Sequence, residues 1–336
     1  MAKILFSISI ILLSYSYLTE QAKLSHDNTI DKSDMETNIL VDGENEGPNS
    51  LEEEQLMLLG TRGVEAATKS KMVYKTRDPR YVIDNQFYRE FDARKRWPQC
   101  KTIGEVHNEG NALLSWAYAH AGVFADRMCI ATNGSYNQLL STEELISCSG
   151  IKSVSKGCRH GIVQSEHVWK YFKTHGLVSG GKYNTNDGCQ PSKIPSIYNI
   201  PTKMYKHKCK KYCYGNNTIN YNHNHVKVSN YYRILSNEDI QKDVQTYGPV
   251  SVLFTFYDDL ILYKSGVYAK TKNGKRIRGQ YAKLIGWGVE NGVDYWLLVN
   301  SWGYDWGQNG LFKIKRGTNE CKIETSKVMA GEPEIK

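Results

Sequence analysis

The stretch from Ser115 to Thr132, SWAYAHAGVFADRMCIAT, decides the fold of this chain. It lacks Pro, has Gly122 as its single glycine, and is rich in Ala and aromatic residues. Asn133-Gly134 follows directly and is a helix-stop signal. Because apolar residues lie nearly all round the helix axis, the pattern predicts a buried helix rather than an amphipathic surface helix.

Further helices are predicted on either side of this segment. Ser141 and Glu144 have capping-box spacing at the start of a short helix. Gln164 to Thr174 is an amphipathic helix that stops at Gly176, and Ser236 begins another before Gly248-Pro249.

Four later segments are rich in β-branched and aromatic residues and are predicted strands: Val250–Phe256, Lys283–Val289, Tyr295–Asn300 and Leu311–Lys315. Helices that come first and strands that come later favour an α+β fold with two packed halves.

The composition agrees with a folded protein of one large domain or two ordinary ones. The chain has 336 residues, of which 40% are hydrophobic and 23% charged, and this excludes a wholly disordered chain. With 8 Pro and 28 Gly it is not collagen-like, and it has no phosphate-binding glycine loop.

The N-terminal region differs from the rest. Residues 1–20 have the layout of a secretory signal peptide, with an uncleaved anchor as the alternative. Residues 21–87 form an acidic, pro-segment-like region: residues 21–60 have a net charge of −8, while residues 61–336 have +16. Charge complementarity between a pro-segment and a basic body explains this asymmetry, and a solvated acidic tail is the alternative. We expect a secreted protein, or one in a lysosome or another endomembrane compartment.

Secretion also affects how the eight cysteines are interpreted. All lie at or after Cys100, and in an oxidising compartment they predict a disulfide framework. The sequons at Asn133 and Asn216 predict N-glycans.

Several motifs carry a resemblance to a known family. Phe91-Asp92-Ala93-Arg94, the run from Gly286 to Gly292, and Asn300-Ser301-Trp302 occur in order, as does Gly176 to Gly181. Over residues 88–333 the chain resembles the papain family of cysteine proteases, especially its cathepsin B branch. This resemblance implies a helical left domain and a β-barrel-type right domain, with an active-site cleft between them.

The resemblance also assigns the catalytic positions. In the family, a cysteine at the start of the buried helix is the nucleophile, a histidine is its base, an asparagine orients the histidine, and a glutamine stabilises the oxyanion. These positions are occupied here by Ser115, Gln280, Asn300 and Glu109, respectively. Gln280 cannot accept and pass on a proton at neutral pH, and an ionised Glu109 would repel an oxyanion, although a protonated one could donate to it. Three of the four groups have therefore changed away from peptide hydrolysis.

The implied substrate groove has changed as well. The family's Cys-Asn-Gly-Gly shelf corresponds to Cys158, Arg159, His160 and Gly161, and the larger Arg and His side chains would fill or charge the groove. The resemblance assigns Trp302 to the same groove. The loop between Cys189 and Cys209 has no pair of adjacent histidines, so dipeptide trimming is not expected.

The family framework implies three disulfide bonds, Cys100–Cys129, Cys148–Cys209 and Cys189–Cys213. Ala112 stands where the partner of Cys158 would be, so Cys158 and Cys321 are expected to be free. Full pairing, with a Cys158–Cys321 bond, is the alternative.

Two basic clusters are candidates for binding polyanionic glycans: Lys203, Lys206, Lys208, Lys210 and Lys211, and Lys270, Lys272, Lys275, Arg276 and Arg278. Ordinary solvated lysine faces are the alternative reading. We expect no cofactor, metal site, nucleic-acid partner or membrane span.

The sequence thus favours a secreted, catalytically inactive cathepsin B-like protein that binds a protein or peptide ligand. The alternatives are an unusual peptidase that uses Ser115, and a decoy for protease inhibitors.

Overall fold

The computed structural model describes residues 88–110, 113–151, 162–195 and 208–335. The predicted signal peptide (1–20), the acidic region (21–87), and the groove residues Arg159, His160 and Gly161 lie outside the described residues.

The helices begin and end close to their predicted bounds. Their ranges are α1 (Ala93–Arg96), α2 (Ser115–Ala131), α3 (Thr142–Cys148), α4 (Ser165–Thr174) and α5 (Asn237–Tyr247). Ser141 Oγ and Ser236 Oγ cap α3 and α5, each accepting a 3.0 Å hydrogen bond from the backbone N–H three residues later. At α3 only half of the capping box forms, because the Glu144 carboxylate accepts from Val178 N, at 2.8 Å, instead of returning to Ser141.

One mixed sheet contains the strands β1 (Phe91–Asp92), β2 (Val228–Ile234), β3 (Val250–Tyr257), β4 (Val267–Tyr268), β5 (Arg276–Glu290), β6 (Val293–Val299), β7 (Leu311–Lys315) and β8 (Val328–Pro333). The hydrogen-bonded order is β2-β8-β3-β5-β6-β7-β4, and β1 pairs with β5. All neighbours are antiparallel except β4 and β7. The α+β class is confirmed, and the four predicted strands correspond to β3, β5, β6 and β7.

Two details of the prediction were wrong. The sheet is open rather than a closed barrel, because β2 and β4 end the order and do not pair with each other. Helix α4 packs against β2 and β8, and Val228 lies in one apolar cluster with Val168 and Trp169. The strict order of helices before strands also fails, since β1 precedes α2 and pairs with β5 in the register Phe91↔Trp287.

Two hydrophobic clusters correspond to the two packed halves. The first fills the sheet, with Trp287, Trp296 and Phe312 fully buried at its centre. The second surrounds α2 and α4, and includes Phe124 and Trp169. Tyr281 of β5 belongs to the second cluster, so this strand contributes side chains to both halves.

Helix α2 is buried almost completely and still carries two adjacent charges, Asp126 and Arg127. Asp126 Oδ2 lies 2.9 Å from Lys283 Nζ of β5, and burial raises the pKa of Asp126 although Lys283 opposes this. Arg127 pairs with Asp243 of α5, and its Nε donates to Pro249 O at 2.9 Å. These two pairs join the helix to the sheet and to α5.

Three disulfide bonds are present, Cys100–Cys129, Cys148–Cys209 and Cys189–Cys213, which are the pairs that the resemblance implies. Cys321 is a buried free thiol. Cys158 and Ala112 are not among the described residues, so a free Cys158 stays a prediction. No helix of the described ranges is long and apolar enough to cross a membrane.

The buried Arg127–Asp243 pair leads to a stability prediction. Arg127→Met leaves Asp243 as a buried carboxylate without its cation, and should lower the free energy of unfolding by about 3–5 kcal/mol in chemical denaturation. Arg96→Met, at an exposed arginine, is the control and should change it by less than about 0.5 kcal/mol. If Arg127→Met matches that control, the pair does not hold α2 and α5 together.

The double variant Arg127→Met/Asp243→Leu should recover most of the lost free energy of unfolding, because no buried charge is left unpaired.

A second prediction concerns the thiols. Burial, together with the neighbouring Glu320, raises the pKa of Cys321 well above its ordinary value. The native protein at pH 8 should therefore resist alkylation at Cys321 and react there only after unfolding. When the non-reduced protein is unfolded before alkylation, peptide mapping should find the three bonds above and label on Cys158 and Cys321. A Cys158–Cys321 bond would contradict it.

Candidate active site

The four positions that the resemblance assigns come together between α2 and the sheet. Glu109 lies in the loop before α2, and Ser115 is the first residue of that helix. Gln280 is on β5, and Asn300 directly follows β6. All four side chains are buried, Glu109 and Gln280 with 0% exposure.

The amide of Gln280 forms the centre of this arrangement. Its Nε2 donates to Glu109 Oε1 at 2.9 Å and to Asn300 Oδ1 at 3.2 Å. Its Oε1 has no hydrogen-bond partner among the described residues. An amide oxygen is not a base at neutral pH, so the group at the assigned base position has no means of removing a proton from the nucleophile.

The carboxylate of Glu109 is held by donors from the sheet side of the site. Besides Gln280, Oε1 accepts from Ser301 Oγ at 3.0 Å and from the half-buried Trp302 through Nε1 at 3.2 Å. The guanidinium of Arg278 lies 3.8 Å from the same oxygen. Oε1 of Glu109 therefore accepts from three neutral donors and has one guanidinium nearby, whereas Oε2 has no hydrogen-bond partner among the described residues. An oxyanion hole instead offers free donors to a developing negative charge.

Ser115 Oγ accepts a 3.2 Å hydrogen bond from the backbone N of Tyr281, the residue after Gln280. This bond ties the hydroxyl to β5 and brings no base to it. The preceding turn is unusual, because Leu113 has φ of 52°. Left-handed backbone is disfavoured for residues with a Cβ and is ordinarily occupied by glycine.

Two histidines near the site were not identified from the sequence. The half-buried His107 lines one small cavity with Ser115. His120 of α2 is fully buried, with Nδ1 2.7 Å from Trp116 O and its ring centre 5.1 Å from that of Tyr281. Burial lowers the pKa of both rings to about 4, so both are neutral at pH 7. Neither ring is hydrogen-bonded to Ser115 Oγ within the described ranges, and a base of that pKa removes protons poorly at neutral pH.

The cavity next to Ser115 measures about 20 Å³. A water molecule requires about 10–15 Å³ on this measure, so the cavity has room for one water and not for a substrate side chain. It is lined by Ser115, His107, Asn300 and Lys283 among other residues.

The remaining predicted sites are placed as follows. Asn133 and Asn216 are exposed in turns, which is compatible with the predicted glycans. No group of three His, Cys, Asp or Glu residues in the described ranges is arranged to hold a metal. His225 Nε2 lies 2.9 Å from Glu144 Oε1. Lys203 and Lys206 lie outside the described residues, as does the Cys158 shelf.

Comparison with known proteins identifies the class. The family model for papain family cysteine proteases matches residues 88–331. The chain is 36% identical over 307 residues to "Cathepsin B-like cysteine proteinase 5" of Caenorhabditis elegans, covering 82% of this chain and 87% of that protein. It is 35% identical over 290 residues to the "Cathepsin B-like cysteine proteinase" of Schistosoma japonicum, covering 82% and 81%.

Among solved structures, the chain resembles procathepsin B S9 from Trypanosoma congolense, with a TM-score of 0.64, 33% identity, and coverage of 74% of this chain and 79% of that one. Procathepsin L 3 from Tenebrio molitor shares the fold, with a TM-score of 0.53. The chain therefore belongs to the papain family of cysteine proteases. The two curated relatives named above are cathepsin B-like.

The left-handed backbone at Leu113 leads to a prediction that compares two variants, Leu113→Ala and Leu113→Gly. Both lose nearly the same side-chain contacts, so this loss cancels in the comparison. Only glycine adopts this φ without strain. We expect the glycine variant to be the more stable of the two by about 1 kcal/mol. Thermal and urea unfolding of both variants measure the difference. At an ordinary helix position such as Ala119 the order of the two residues should reverse, because glycine is the poorer helix former.

Proposed function

We propose that this papain-family protein does not hydrolyse peptides and acts by binding a protein or peptide ligand. The observation that carries the proposal is the Gln280 amide, which occupies the base position and is hydrogen-bonded to Glu109 and Asn300.

Rate magnitudes support this proposal. In a serine protease, loss of the nucleophile or of its base costs about 10⁶ in rate, and the residual acceleration of about 10³–10⁴ over water comes from the oxyanion hole and from binding. Here the base position carries no base. The oxyanion position carries a carboxyl group that, when ionised, opposes the charge that develops in the transition state. The base is therefore absent, and the contribution of an oxyanion hole to the residual rate is lost with it.

The alternative, a peptidase that uses Ser115, needs a general base within hydrogen-bond reach of Oγ. The bond at Ser115 Oγ is the one received from Tyr281 N, and the nearby His107 and His120 are poor bases at neutral pH. The geometry therefore favours the binding role. The signal-peptide layout of residues 1–20 supports secretion, with an endomembrane compartment as the other option.

Rebuilding the catalytic groups tests the proposal. The wild-type protein should not turn over dipeptidyl fluorogenic substrates, with or without reductant. Ser115→Cys alone should restore little, because the base position carries Gln280 and the nearby His107 and His120 are poor bases at neutral pH. Ser115→Cys, Gln280→His and Glu109→Gln together should form the smallest set with measurable activity, since Glu109 otherwise holds position 280 by a hydrogen bond.

Ser115→Ala is the matched control. Hydrolysis by the wild type that disappears in Ser115→Ala would overturn the proposal and support the serine peptidase. An inactive triple variant that still folds, by its thermal midpoint, would show that the groove itself has also lost its shape for substrate.

A further inference from the structure

The loop between the end of the 3-10 turn Asp258–Leu262 and the start of β5 concentrates positive charge. Residues 264–276, here called the basic loop, contain five basic residues and no acidic one: Lys264, Lys270, Lys272, Lys275 and Arg276. All five are exposed. Within it β4 pairs with β7, so the loop is anchored to the sheet.

The carboxylates that flank the basic loop bind its backbone and not its ammonium groups. Asp258 Oδ1 accepts from Lys275 N at 2.8 Å, and the Asp258 N–H donates to Lys275 O at 3.0 Å. Asp259 accepts from Thr271 N and from Tyr268 OH, both at 2.6 Å. Burial alone would raise the pKa of Asp259, but these hydrogen bonds lower it below its usual value, so the carboxylate that holds the loop stays ionised.

The lysine side chains consequently keep their charges available. No carboxylate of a described residue lies within 4.0 Å of the Nζ of Lys264, Lys270, Lys272 or Lys275, whereas Lys182 and Lys283 form such pairs elsewhere. Lys270 Nζ lies 5.4 Å from the centre of the Tyr257 ring, a contact that directs the side chain without neutralising it. The loop therefore presents several unneutralised cations on a backbone fixed by hydrogen bonds.

The chemistry of the loop distinguishes between two kinds of acidic partner. A peptide ligand binds mainly through apolar or aromatic side chains placed in pockets. Residues 264–276 have no large exposed apolar side chain. The exposed Leu262 and Ile277 lie just outside the loop. Multiple ammonium groups without a pocket suit a flexible chain of high charge density, whose binding comes from charge and counterion release.

From this arrangement we infer that the basic loop binds a sulfated polysaccharide. The inference does not rest on whether the former active site hydrolyses peptides, because the loop and the four catalytic positions share no residue. Failure of one proposal leaves the other standing.

The test uses the full-length protein and two variants of equal charge change. The loop variant is Lys264→Gln, Lys270→Gln, Lys272→Gln and Lys275→Gln, and the control variant is Lys95→Gln, Lys101→Gln, Lys170→Gln and Lys173→Gln, all at exposed lysines. Affinity for a heparin octasaccharide is measured at several salt concentrations, and thermal midpoints verify folding.

In 150 mM salt the loop variant should bind at least about tenfold more weakly, and its plot of log affinity against log salt should be shallower by about 2–3. The control variant should lose less than about threefold. Equal losses in the two variants would mean that only net charge matters, and would overturn the site. If polyglutamate of matched charge binds the wild type as tightly as the octasaccharide does, the inference that the loop selects a sulfated chain is wrong.

Discussion

The structure depends on the pairing of two charges inside a helix that has no face toward water. Helix α2 is buried nearly all round, so Asp126 and Arg127 can be tolerated only if counter-charges reach them from other elements. Lys283 and Asp243 supply those charges from β5 and α5. Lys283 lies three residues after Gln280 on the same strand. The pair with Asp126 therefore fixes the position of β5 along the helix and, with it, the position of Gln280 relative to Ser115.

At the four assigned positions, the side chains are buried and bonded to protein groups. Gln280 is hydrogen-bonded to Glu109 and Asn300, and Ser115 Oγ accepts from the backbone of Tyr281. A carboxylate at the position of the oxyanion donor is compensated by donors from Ser301 and Trp302 and by the nearby Arg278. Through Glu109, the loop before α2 is therefore in contact with the residues that follow β6.

Much of this could be predicted from the sequence. Helix α2, the caps at Ser141 and Ser236, and four strands followed from local patterns, and the resemblance gave the disulfide pairs. Strand β8 was missed because Gly331 and Pro333 are typical of loops. Gly331 is nevertheless required there, since a Cβ would lie 2.6 Å from the Trp169 ring, a contact that only the tertiary packing reveals. The open sheet edge, the place of His107 beside Ser115, and the pairing of Arg278 with Glu109 are long-range features without a local signal.

The hydrogen bond between Glu109 and Gln280 also links the effects of substitutions at the two positions. Each side chain is fully buried and is a partner of the other, so a change at one position alters the surroundings of the second. Substitutions at the two positions should therefore be epistatic, with an effect on stability for the double change that differs from the sum of the two single effects.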